Sequence, residues 1–568
     1  MAFPWGTTSP VWVLDAKLTW SGLHRRNLLP VTIPAILRVA DDPLGAPINT
    51  AASGVAVTAA QCARTRFRAS HAQSGVWLSV VSLVGNALNS EVPSPSPEAV
   101  ASQTKSGSQH DSKPQRKDRK KITYILRGIA NAPQPMKRKL TLLDAVFLIV
   151  GCVIGAGVFV APNLVARQAH TGPWILAAWL CAGVLALFGA LAVAELGGMI
   201  PGNGGLYLYL KAAYGPLWGF LAGWTTFLIL YSGALAWLAV SFTIYLRAFI
   251  PVGQPQARAI GACLIAFFAL VNVRGIRLAA NAQYALTFLK VLGILVVIAA
   301  AWLAPARVAD AATPAPPALS GFGLALIGCL LTYDGWILVS FIAAEVENPQ
   351  RNVPRALFLG MASVIVLYIL ANAAYLRVLS PAEIAAADRV GAEAARRALG
   401  APGADLVVAV TLLSIAGAIN GILLATARLY QRMSRDGLFF GSLAGDHPRF
   451  GTPAAALVAK AGWSILLVVT GTYESLASYA MFAAYIFYTL MAVAVIVLRR
   501  RQPDRPRPYR MWGYPLTPLL FAGAGFVFVG NTLRQAPGPA LAALGLIALG
   551  LPAYWFWSRY GSTTKVSY

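Results

Sequence analysis

From residue 142 onward, short polar connections divide the chain into about twelve apolar segments, at roughly 142–165, 173–200, 214–249, 258–273, 283–304, 321–345, 355–378, 405–430, 454–471, 475–498, 515–533 and 539–558. Inside a bilayer there is no water to satisfy backbone N–H and C=O groups, so segments of this kind fold as helices that satisfy them internally. Composition agrees: 57% of residues are hydrophobic, 12% are charged and the mean hydropathy is +0.62. A soluble enzyme with a membrane tail is excluded, and an all-α, multi-pass membrane protein is predicted.

The formal charge of +25 would suggest nucleic acid in a soluble protein. Here Lys and Arg fall between the spans, so anionic lipids are the expected partner and no nucleic acid is. Alternate connections carry Lys211; Arg274 and Arg277; Arg351 and Arg355; Arg432, Arg435 and Arg449; then Arg499, Arg500, Arg501, Arg505, Arg507 and Arg510. The other side has fewer basic residues, mixed with acids in the loop 380–403. By the positive-inside rule both termini are predicted to be cytoplasmic, in a cell (plasma or inner) membrane. The five cysteines show no CxxC or His-partner spacing, which predicts neither a disulfide framework nor a metal site, and no cofactor is expected.

Residues 1–135 differ. They have no sustained helical or strand period and are read as a disordered extension, or as the product of a start assigned too early, with Met136 as the alternative start. The membrane domain is expected over 136–560, followed by a short cytoplasmic tail, 561–568.

The first span carries Gly151, Gly155 and Gly157 at mid-depth. Such glycines either let a neighbouring helix pack closely or break the helix at Gly155-Ala156-Gly157. A broken span frees backbone groups, which is tolerable only around a polar cavity and is how transporters build midplane sites. The half-helix beginning near Val158 would present free amides and a positive dipole end to a carboxylate, while carbonyls left by the breaks would attract an ammonium. A carboxylate and an amine together describe an amino acid.

Few ionisable residues lie inside the spans, and each has two readings. Glu195, near the end of the second span, is read as an interfacial carboxylate paired with Lys or Arg. Asp334, beside Gly335 at the middle of the sixth span, points to a second unwound helix. Glu345 caps or pairs where that span ends. Lys290, about seven residues into the fifth span, either donates to freed carbonyls and holds helices together or gains and loses a proton during transport.

Six stretches then resemble the amino acid–polyamine–organocation permeases, particularly the bacterial amino acid exchangers and L-type transporters. They are Ile154–Phe159 (IGAGVF), Ala194–Trp224, Asn272–Lys290, Tyr333–Trp336 (YDGW), Ala343–Ala356 and Ala427–Phe439, in the family's order. The resemblance implies a LeuT-type fold, with two inverted five-helix repeats, broken helices 1 and 6, and two helices added at the C-terminal end. By position it implies a substrate carboxylate on the amides of Ala156, Gly157 and Val158 and an amine on the carbonyls of Val153, Leu331 and Asp334. Tyr333 and Trp336 would shape the side-chain pocket, and Lys290 would take the place of a sodium ion beside helix 1. Many relatives have Ser where this chain has Ala156. The segment 240–259 lacks the cysteine that links some relatives to a heavy subunit, so no disulfide-linked partner is expected.

The function expected is secondary transport of amino acids, neutral ones from the apolar lining, by alternating access coupled to proton symport. Exchange is the alternative, and a membrane amino acid sensor without flux is the alternative from another class. An enzyme is not expected, since the sequence contains no HExxH or GxSxG constellation.

Overall fold

A computed structural model of the chain describes residues 140–306, 319–471 and 473–560. The expected extension 1–135, the alternative start at Met136 and the tail 561–568 lie outside the described residues. Among those residues, nine helices are long and apolar enough to cross a membrane. A tenth span is a bent pair, α1 (Leu142–Val153) and α2 (Gly157–Ala169), with 47° between them. Then come α3 (Gly172–Met199), a third span at Pro216–Leu246 whose second half is α4 (Tyr231–Leu246), a fourth at Gln254–Arg274, and α5 (Ile276–Leu303). Two shorter apolar helices, α6 (Leu319–Thr332) and α9 (Ala454–Thr470), stand where the sixth and ninth segments were expected. Between and after them lie α7 (Pro349–Val378), α8 (Ala401–Arg435), α10 (Tyr473–Arg501) and α11 (Leu516–Gln535). The last span is Pro537–Tyr560.

Local sequence explains where the first span starts and stops. Thr141 and Asp144 form a reciprocal capping box, so α1 begins immediately after Thr141. Its end is set at Ile154, whose ψ of 91° leaves the helical region. The sixth span also stops at mid-depth: α6 ends at Thr332, residues 333–337 form turns, and a four-residue helix resumes at Leu338. The third span is continuous but carries a π-turn at Thr226–Leu230, and side chains meet its displaced carbonyls. Tyr430 donates to Thr226 O at 3.2 Å, Trp463 Nε1 to Leu228 O at 3.1 Å, and the Ser232 hydroxyl to Phe227 O.

Ion pairs concentrate on the arginine-rich side. Glu195 receives Arg499 through both oxygens, at 2.8 and 2.6 Å, and the Met511 amide at 2.7 Å, which is the paired interfacial carboxylate expected. Glu345 pairs with Arg428 at 2.7 Å, their side chains only 3% and 5% exposed. Arg428 also holds Asp446 at 2.8 Å, as does Arg435. Lys211 meets Asp436 at 2.5 Å. On the same side a main-chain bridge joins Leu140 to Val346: the Leu140 N–H donates to Glu345 O at 3.0 Å and the Glu347 N–H to Leu140 O at 2.8 Å.

The loop carboxylate Asp446 gives this side a pH dependence. Burial alone would raise its pKa, but the Gln431 amide and the Arg428 and Arg435 guanidinium groups outweigh burial and hold it below the usual aspartate value. A depressed carboxylate stabilises the fold fully above its unfolded pKa, and the contribution is lost as pH falls through the folded value. Between about pH 6 and pH 3, thermal unfolding of the purified protein is expected to lose less stability in Asp446→Asn than in the native chain.

Candidate functional site

The two breaks meet. Gly335 has a φ of +119°, open to glycine and strained for other residues, and a Cβ there would stand 3.0 Å from both Cys152 C and O and 3.2 Å from Val153 N. Glycine is therefore what lets the backbone of the sixth-span turn rest on the end of α1. Gly157 faces Thr332 in the same way, a Cβ lying 2.8 Å from its methyl group. Cys152, Gly155, Gly157 and Asp334 keep partial accessibility between buried neighbours, and with the partly accessible Thr332 they outline a recess at the junction.

The recess is rich in unused backbone groups. Among the described residues the amides of Ala156, Gly157 and Val158 have no acceptor; the first bond of α2 runs from the Phe159 N–H to Ala156 O at 3.1 Å. These are the N-terminal donors of a half-helix, aimed where its dipole is positive. The carbonyls of Leu331 and Asp334 have no donor among the described residues. Val153 differs, because its carbonyl already accepts from the Tyr368 hydroxyl at 3.0 Å and the Gly155 N–H at 2.9 Å.

Lys290 is completely buried on α5 and spends all three N–H donors on main-chain carbonyls: Gly151 and Ile154 at 2.8 Å and Ser414 at 3.2 Å. It ties the end of α1 to α8. The Asp334 carboxylate accepts from the Tyr488 hydroxyl of α10 at 3.0 Å, and Tyr488 lies 3.3 Å from the hydroxyl of Tyr231 on α4.

The two aromatic residues assigned to the side-chain pocket are placed differently. Tyr333 is wholly buried, edge-on to Trp179 at 6.0 Å and tilted against Tyr368 at 5.0 Å, so its ring packs between α3 and α7. Trp336 packs on Tyr488 at 5.5 Å and Phe521 at 6.0 Å, toward α10 and α11. Four residues that sequence reading passed over complete the surroundings. Tyr368 links the breaks, reaching Val153 O and, at 3.2 Å, Thr332 O, while Tyr488 and Tyr231 support Asp334. Lys460, fully buried on α9, donates to Ser232 Oγ at 2.8 Å and lies 5.4 Å from the Tyr430 ring centroid, beside the π-turn. Their signal was a phenol or ammonium in mid-span, which must find an acceptor within the protein.

Residues 140–547 match the family model described as amino acid permease. The serine/threonine exchanger SteT of Bacillus subtilis (strain 168) is 31% identical over 424 residues, 74% of this chain and 97% of that protein. The human cystine/glutamate transporter is 31% identical over 430 residues, 74% of this chain and 85% of that protein. The human large neutral amino acids transporter small subunit 2 is 31% identical over 434 residues, 74% and 80% of the two chains. With most of its length aligned to such relatives, and with a broken first span meeting a broken sixth, the chain belongs to the amino acid permease family of membrane transporters.

Proposed function

We propose that this protein exchanges neutral amino acids across the cell membrane by alternating access, with both termini cytoplasmic. The observation that carries this reading is the junction of the two breaks, where the amides of Ala156, Gly157 and Val158 and the carbonyls of Leu331 and Asp334 have no partner among the described residues, a donor set that suits a carboxylate and an acceptor set that suits an ammonium. The substrate amine has these two carbonyls and the Asp334 side chain available, since Val153 is engaged by Tyr368 and Gly155. Tyr333 and Trp336 act by holding the sixth-span turn against its neighbours. No disulfide-linked subunit is proposed, because the segment 240–259 contains no cysteine.

Exchange is preferred to proton symport because Lys290 donates three hydrogen bonds to carbonyls. Three donors are what an ammonium has; a neutral amine has two and could reach only two of the three carbonyls. A lysine so placed serves as a fixed cation. Similarity to a serine/threonine exchanger supports the same reading.

The test is uptake of labelled serine, threonine and leucine into proteoliposomes that either contain unlabelled amino acid or are empty, with and without an inward pH gradient. Uptake that requires internal amino acid and ignores the gradient supports exchange. Uptake into empty vesicles driven by the gradient is symport and overturns it. Binding without uptake in any condition would make the protein a sensor. In the same assay Asp334→Asn is expected to raise the half-saturating substrate concentration about tenfold, the loss of one charge-assisted contact to the amine.

A further inference from the structure

A second binding surface lies away from the recess. The start of α7, the start of α1 and the connection between α10 and α11 enclose an open groove of about 530 Å³. Arg351 and Arg355, both exposed and one turn apart on α7, stand at one wall, and neither has an acidic partner among the described residues. This distinguishes them from Arg428, Arg435 and Arg499, which are all engaged by carboxylates on the same side. Gln350 also lines the groove, and the remaining residues are apolar or aromatic, among them Leu142, Phe358, Leu359, Tyr509 and Trp512.

Its depth is set by the elements that build it. Each contributes the end of a membrane span, so the guanidinium groups lie at headgroup level. Phe358 and Trp512 meet edge-on at 5.4 Å, and the Trp512 side chain remains 60% exposed, an aromatic placed where membrane interfaces favour it. From the arginines an exposed apolar stripe continues along α7 through Leu359, Val366 and Leu370, seven and then four residues apart on one face.

We propose that this groove binds an anionic glycerophospholipid, its phosphate held by Arg351 and Arg355 and one acyl chain lying past Trp512 along the stripe. Charge complementarity selects the occupant: two unpaired guanidinium groups fit a phosphodiester, and an apolar channel leading from them into the bilayer fits a chain attached to it. The proposal depends on the orientation given above only for the leaflet, the cytoplasmic one, and does not depend on the mode of transport.

The experiment uses the full-length protein in nanodiscs of phosphatidylcholine, into which phosphatidylglycerol or phosphatidylcholine with brominated acyl chains is introduced. Quenching at the groove is read as the difference in tryptophan fluorescence between the native chain and Trp512→Phe. The native chain is expected to show half-maximal quenching at a brominated phosphatidylglycerol fraction about tenfold lower than for brominated phosphatidylcholine. The preference is expected to shrink in Arg351→Gln and in Arg355→Gln and to vanish in the double variant, so the result does not hang on one variant folding. Inorganic phosphate at millimolar concentration is expected to leave the quenching unchanged. Equal quenching by the two lipids, an undiminished preference in the arginine variants, or displacement by inorganic phosphate alone would each overturn the proposal, the last pointing to a free anion site.

Discussion

Lys290→Met is expected to lower amino acid exchange by at least about a hundredfold while leaving the protein extractable and monodisperse, with uptake into proteoliposomes and size-exclusion profiles as the paired readouts. The substitution fills much of the lysine's volume but removes every donor. Of the three carbonyls Lys290 meets, Ser414 O keeps its donor within α8, but those of Gly151 and Ile154 lose their partner at a buried position, each at a penalty of about 1–3 kcal/mol. Both belong to the last turn of α1 and its end, where the free amides of the following half-helix are positioned, so the disturbance falls on the site. A loss of even 2.7 kcal/mol from the transport barrier's stabilisation corresponds to roughly a hundredfold in rate. Activity within about threefold of the native chain would show that the lysine only fills space.

Gly335→Ala is expected to be nearly as damaging for a different reason. At a φ of +119° a Cβ is strained whatever surrounds it, and here it would also press on Cys152 C and O at 3.0 Å. Those are backbone atoms and cannot rotate away as a side chain does. Either the sixth-span turn lifts off α1 or α1 shifts, and in both cases the amide and carbonyl sets move apart. The measurement is substrate binding by thermal shift in detergent: the native chain is expected to gain stability with substrate, and Gly335→Ala to gain none. Gly462→Ala provides the contrast, since it lies on α9 outside the recess and a Cβ there meets nothing within 4 Å, and its substrate-dependent shift is expected to persist.

Much of this was legible from residues alone where the physics is one-dimensional. Apolar segments, the break at Gly155-Ala156-Gly157 and the charge bias follow from local pattern and from the absence of water in the bilayer. Lys290 was legible as well, because an ammonium at that depth has few fates, and one of the two read for it, donation to freed carbonyls, is what the structure contains. Side-chain direction was not legible. Tyr333 and Trp336 adjoin the sixth-span break in sequence, yet the turn at 333–337 swings their rings into α3, α7, α10 and α11. Tyr368, which does bind the breaks, is 35 residues from Tyr333 in the chain and gave only the general signal of a hydroxyl in an apolar helix. Lys460 was hidden for a related reason: its acceptor, Ser232, is 228 residues away, and its placement depends on a π-turn with no distinct composition.

The bridge between Leu140 and Val346 has a mechanical corollary. Because it joins the lead-in of the first span to the segment after the sixth, an inward swing of α1 either carries 345–347 with it or ruptures two main-chain hydrogen bonds. With the bridge intact, the pair would swing as a single lever, with one hinge coordinate where two separate helices would have two. Its donors are the Leu140 and Glu347 amides, which belong to the main chain, so ordinary exchange of side chains leaves the coupling in place. Only proline at one of those two positions would delete a strand of the clasp and let the half-helices drift independently.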